Sequence, residues 1–286
     1  MNWPGSAAGL GLLSAASWGG SDFVGGLGAR RSPVLLIVVS GHFVTLLALL
    51  AICLGGHFPL PGRHDLLFSA AGGFEGALAL ALFYRALAIG AMGLTAALTG
   101  LLTALVPVLF SLLHDGLPTA GGAFGLAMGL AAIWLITHAP AANAAGGHDG
   151  TPVKALLLGA LAGLGFGAQL VLFKFAAGGG ALWIMTSARA AGVTATLLVI
   201  LFWLPARPWQ GFWLYGVLAG GLDTIGNLLY IETTQFGRLD VAAMICSLYP
   251  AGTILLAALV LGERPTRRQF AGIGLALAAV GLLSLQ

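Results

Sequence analysis

Ten runs of about 20 apolar residues, each closed by a cluster of Gly, Pro or charged residues, leave this chain few ways to fold. They lie near 5–28, 33–54, 66–88, 91–113, 118–138, 153–176, 180–204, 211–234, 238–261 and 267–285. A run of that length crosses the hydrocarbon of a bilayer as an α-helix, because a helix satisfies its own backbone N–H and C=O groups. Composition agrees: 59% of the 286 residues are hydrophobic and 7% are charged, against about 25% charged in soluble domains. The expected fold is therefore an all-α membrane protein with ten transmembrane helices, and the lipid bilayer is its first partner. The net charge of +3 is carried mostly by loop residues, which argues against a nucleic-acid partner. Cys53 and Cys246 sit inside apolar runs with no CxxC or Cys/His spacing, so no disulfide, metal site or cofactor is expected. There is no nucleophile elbow, no HExxH and no closely spaced pair of catalytic carboxylates, so the chain does not read as an enzyme.

The longest connection, 139–152, is Ala/Gly-rich and polar and reads as a flexible linker. It divides the chain into a first unit, 1–138, and a second, 153–286. A shift of 147 residues aligns Pro118-Thr119 with Pro265-Thr266, Gly125 with Gly272 and Gly90 with Gly237. Two units of five helices have opposite orientation in the membrane, because five is odd. The reading is two inverted five-helix repeats, with a site between them near the midplane.

A few polar residues interrupt the apolar runs. Glu75 follows Gly72-Gly73-Phe74, and Asp223 follows Gly220-Gly221-Leu222. With one residue of slip the two acids align as repeat copies. One helix earlier, His42 and Arg189 align at the shift of 147. Consecutive helices are antiparallel, and all four residues lie about mid-helix, so Arg189–Asp223 and His42–Glu75 are expected pairs. A charge at the bilayer centre costs at least about 2.5 kcal/mol, so such groups should face a partner or a cavity. Asn227, Tyr230 and Thr234 share the helix face of Asp223. We therefore expect Asp223, Asn227, Tyr230 and Arg189, with Trp18 and Asp22 of the first helix, to bind substrate. Glu75 and His42 are the expected proton-coupling groups. Thr95, Thr99 and Thr103 form a further row, with back-bonding to their own helix as the alternative. Pro107 and Pro250 are expected kinks. Lys174 is expected to snorkel to the interface, and Trp203, Trp209 and Trp213 to anchor there. Glu263, Arg264, Arg267 and Arg268 read as a solvated turn.

Three segments give the chain a resemblance. Ser14 to Gly26, "SAASWGGSDFVGG", looks like a first-helix Trp-Gly-x-Asn pattern with Asp22 near the usual Asn. Ala81 to Leu98 looks like a third-to-fourth helix passage, and Ser247 to Leu283 carries a Pro, Gly-Glu, Gly signature. Together they resemble the drug/metabolite transporter superfamily, specifically the EamA-type ten-helix bacterial exporters. The resemblance implies a central cavity, a multi-pass protein of the bacterial inner (plasma) membrane, and transport of amino acids, related metabolites or drugs. The expected function is a secondary transporter exporting small polar or amphipathic metabolites, most of all amino-acid-like ones, by alternating access. The alternative is a proton-coupled exporter of cationic drugs. The expected partners are a small-molecule substrate, lipid and, as coupling ion, protons, with the chain a monomer or a homodimer.

Overall fold

Leu, Ala and Val fill the runs with good helix formers, and Pro and Gly stop them. The chain accordingly folds into helices and the turns between them. A computed structural model describes residues 4–90, 92–137, 153–202, 211–236, 238–262 and 266–283. The helices are α1 Pro4–Arg31, α2 Val34–Gly55, α3 Arg63–Ile89, α4 Met92–His114, α5 Ala120–Thr137, α6 Val153–Phe175, α7 Ala181–Phe202, α8 Phe212–Thr233, α9 Leu239–Cys246, α10 Tyr249–Leu261 and α11 Arg267–Leu283. There is no strand among the described residues. The linker 139–152, Trp203, Trp209, Gly237, Glu263, Arg264 and Pro265 lie outside them.

Seven described segments are long and apolar enough to cross a membrane: α2, α3, α4, α6, α7, α8 and the stretch Leu239–Leu261 formed by α9 and α10. Helix α5 is a shorter apolar helix. Helix α1 runs to Arg31 and is stopped by Pro33, because the residue before a proline is pushed out of the helical region. The single ninth helix expected over 238–261 is broken after Cys246. Pro250 supplies no N–H, and its ring would clash with the carbonyl of Cys246. The chain instead makes a tight turn, with Leu248 N–H donating to Ile245 O at 3.2 Å, and Pro250 sits in the first turn of α10. Pro107, by contrast, is accommodated inside an unbroken α4.

The threonine of the Pro-Thr match has a physical role at both places. Thr119 Oγ1 accepts from Gly122 N at the start of α5, and Thr266 Oγ1 accepts from Gln269 N at the start of α11. At the second site Gln269 Oε1 also accepts from Thr266 N at 2.7 Å, which completes a capping box.

Helix packing is reciprocal between the halves. Helix α3 packs on α6 and α7, while α8 packs on α1 and α2. Helix α4 lies on α6, while α10 and α9 lie on α1; α5 lies on α11, and α2 on α7. The closest approaches repeat as well. Gly73 of α3 abuts the backbone of Ala188, and Gly220 of α8 abuts the backbone of Gly41. Both members of the second contact lie at the shift of 147 from a member of the first. A methyl group at either glycine would strike backbone, so only Gly lets these helices meet there.

Lys174 lies in the last turn of α6. Its Nζ donates to Thr234 O at 3.1 Å, at the C-terminal end of α8. That carbonyl has no helical partner and sits at the negative end of the helix dipole. Lys174→Met should therefore lower stability by about 1 kcal/mol. Thermal unfolding of purified protein checks this, and an unchanged midpoint would mean the cap contributes nothing. Trp213 is exposed at the start of α8, as an interfacial anchor would be.

Candidate functional site

The polar residues of the interior converge on one central cavity with two adjoining lobes. The first lobe, about 360 Å³, is lined by Trp18 and Asp22 of α1, Thr103 of α4, Gln169 of α6, Asp223 and Asn227 of α8, and Tyr249 of α10, among others. The second, about 270 Å³, is lined by residues that include His42 of α2, Gly76 of α3, Met185 and Arg189 of α7, and again Gln169 and Asp223. Leu80 and Phe166 border both.

Arg189 and Asp223 form the ion pair expected of them, at the meeting of the lobes. Arg189 is 4% exposed, and its Nη2 donates to Asp223 Oδ2 while its Nε donates to Thr224 Oγ1 at 3.1 Å. Thr224 passes its own proton to Gly220 O at 2.7 Å. Asn227 completes the network: Nδ2 donates to Asp223 Oδ1 at 3.1 Å and to Asp223 O at 2.8 Å. Charge-assisted bonds of this kind hold both side chains in one geometry.

Asp22 lines the first lobe without a cation in ion-pair distance among the described residues, and its buried Oδ2 accepts no hydrogen bond. Asn227 Oδ1 is likewise buried and without a donor. An unsatisfied buried acceptor costs about 1–3 kcal/mol. Trp18 lies against Gly226 and within 5.9 Å of the Tyr230 ring and 6.2 Å of the Tyr249 ring, the latter edge-on.

Tyr230 sits behind this wall. It is fully buried, lines neither lobe, and its hydroxyl donates to Leu170 O at 2.9 Å, tying α8 to α6. Of the threonine row, Thr99 and Thr103 back-bond to Thr95 O and Thr99 O, Thr99 also bonds Gly159 O across to α6, and Thr103 borders the first lobe.

The expected His42–Glu75 pair does not form. His42 lines the second lobe with its ring against Gly192, and its Nε2 has no hydrogen-bond partner. Glu75 turns to Gly165 on α6, lines neither lobe, and leaves Oε2 without a donor. Two physical reasons combine. Helix α2 packs chiefly on α7 and α8 and only lightly on α3. And the contact of Gly73 with Ala188 and of Gly220 with Gly41 sets the register of the two helices at the shift of 147 without slip. In that register Asp223 corresponds to Gly76, and Glu75 to Leu222. One residue is about 100° of rotation on a helix, enough to turn Glu75 out of the cavity.

The same register finds a lining residue that the sequence reading missed. Gln169 corresponds to Asp22 at the shift of 147, and both face the cavity. Tyr249 and Phe166 were also missed; nothing in their local pattern separates them from other interior aromatics.

The helical spans and the polar cavity they enclose define a multi-pass membrane protein with a polar interior cavity. Residues 153–285 match the model of the EamA-like transporter family. That match covers a little under half of the chain and makes its second unit similar to the EamA-like membrane transporters. A solved crystal structure of a protein superposes with a TM-score of 0.72 over 98% of this chain and 96% of that one, at 19% sequence identity. That likeness shows the fold. No curated protein matches the chain.

Proposed function

We propose that the protein moves small polar or amphipathic metabolites, amino-acid-like ones above all, by alternating access through the central cavity, in the direction of export. The observation that carries this reading is the Arg189–Asp223 pair at the junction of two lobes that also hold Asp22. Such a cavity offers both signs of charge to a zwitterion, in an interior where an idle charge is costly. Ten spans in two inverted five-helix repeats are part of the same proposal, with α1, α5 and α11 as the three beyond the seven apolar segments. The reciprocal packing and the paired close contacts support it, as does the break between α9 and α10 beside the cavity, since transporter sites are often built at discontinuous helices. The test is flux in proteoliposomes of full-length protein with a panel of amino acids. If none is moved above the level of empty vesicles, the reading fails.

A second reading, proton-coupled export of cationic drugs, is favoured by Asp22, which has no cationic partner among the described residues. The two differ at Arg189: its loss should abolish amino-acid flux but spare or improve efflux of a cation. In either case Glu75 and His42 are our proton-coupling candidates, because each is a titratable group in the interior with an atom lacking a hydrogen-bond partner. Glu75→Gln should keep substrate binding but lose accumulation driven by a pH gradient. Undiminished gradient-driven uptake by that variant would remove Glu75 from the coupling path.

A further inference from the structure

The lining of the first lobe holds two aspartates and no cationic side chain. Asp22 Oδ2 and Asn227 Oδ1 are buried, lack partners and border the same space. Arg189 is committed to Asp223 and Thr224, and Asn227 Nδ2 is committed to Asp223, while the other donors on the lobe, the Tyr249 hydroxyl and the Gln169 amide, are neutral. A charge count points the same way. Arg189 balances Asp223, and no described cation reaches Asp22, so its carboxyl ionises at low cost only when a cation binds beside it; His42 lies in the other lobe. A hydroxyl could satisfy the acceptors but would not balance that charge. A protonated amine does both, with up to three N–H donors. The walls fit such a group: Trp18 and Tyr249 meet edge to face at 6.2 Å, and Phe166 adds a third ring. Aromatic faces attract a cation that water does not shield.

We propose that Asp22 and Asn227, within the aromatic wall of Trp18 and Tyr249, form an ammonium-binding subsite, so that the transported molecule binds with its amine toward α1, α8 and α10. The remainder of the molecule then lies toward α2 and α7, in the lobe of His42, Met185, Leu80 and Gln169. This rests on the cavity being the transport site and deepens that reading by naming the recognised group.

The test uses full-length protein in detergent and matched triplets of probes: L-leucine, isopentylamine and isocaproate, then L-phenylalanine, phenethylamine and hydrocinnamate. A ligand that binds the folded state raises the unfolding midpoint. The amino acids and amines should raise it and the deaminated acids should not. Asp22→Asn should weaken the apparent affinity for the amines at least tenfold. Asn227→Leu, which removes the second acceptor, should do the same and serves as the check where Asp22→Asn alters folding. The proposal is overturned if the acids bind as well as the amines, if no amine binds, or if both variants bind amines like the wild type. Flux keeps the two readings apart. Leucine flux unaffected by Asp22→Asn would sink the subsite and leave the transport reading intact. Amine binding that depends on Asp22, with no flux of any probe, would do the reverse.

Discussion

Arg189→Met should abolish amino-acid flux and destabilise the protein by about 3–5 kcal/mol, the cost of leaving one partner of a buried ion pair behind. Arg189 is buried at 4% exposure and Asp223 is nearly so at 14%, so solvent cannot replace the guanidinium. Asn227 would still donate to Asp223, but a neutral amide does not cancel its charge. The double variant Arg189→Met with Asp223→Asn tests the mechanism. Removing both charges should recover most of the lost stability, because the penalty comes from the orphaned charge and not from the missing contact. It should not recover flux, since the charge offered to a substrate carboxylate is gone. Chemical unfolding and proteoliposome flux on the three proteins read both quantities. If the single variant unfolds no more easily than wild type, the pair is solvated and the interior charge carries no penalty.

Gly73→Ala and Gly220→Ala should each destabilise by about 1–3 kcal/mol or more, as overpacking does. The added methyl meets helix backbone, at Ala188 in one case and Gly41 in the other. Backbone cannot change rotamer, so two helices must separate and give up contacts along their length. Gly221→Ala and Gly274→Ala are the controls, because nothing lies within contact of a methyl group at either place. There the usual helix preference for Ala over Gly, about 1 kcal/mol, should leave stability unchanged or raised. Equal and opposite behaviour of neighbours such as Gly220 and Gly221 would be hard to obtain from composition or propensity. Thermal unfolding of the four variants decides it. Should Gly73→Ala be as stable as Gly221→Ala, the close approach of α3 to α7 is not what holds that seam.

Much of the site was legible because a charge in an apolar run has so few places to go. Arg189 and Asp223 lie mid-helix on consecutive antiparallel helices, so their depths match, and a pair was the cheapest arrangement. Asp22 and Asn227 were visible for the same reason. The expectation failed where it depended on rotation instead of depth. Glu75 looked like the copy of Asp223 because both follow two glycines and one large apolar residue. Helix packing instead pairs Gly73 with Gly220, and the one-residue difference swings Glu75 to Gly165 on α6. Tyr230 was on the predicted face of α8, but the cavity ends before it, and Leu170 O takes its hydroxyl. Gln169 was available to a stricter use of the shift of 147, as the position matching Asp22.

By itself, the sequence determined the helical class, the approximate bounds of nearly every helix and the similar depth of Arg189 and Asp223. All of these depend on neighbours along the chain or on the free energy of moving a group into hydrocarbon. Only the tertiary structure decided the break between α9 and α10, the direction of Glu75 and His42, the cap that Lys174 makes on α8, and which polar atoms are left without partners in the cavity. Those depend on how each helix is rotated about its own axis, and close backbone contacts between distant helices set that rotation.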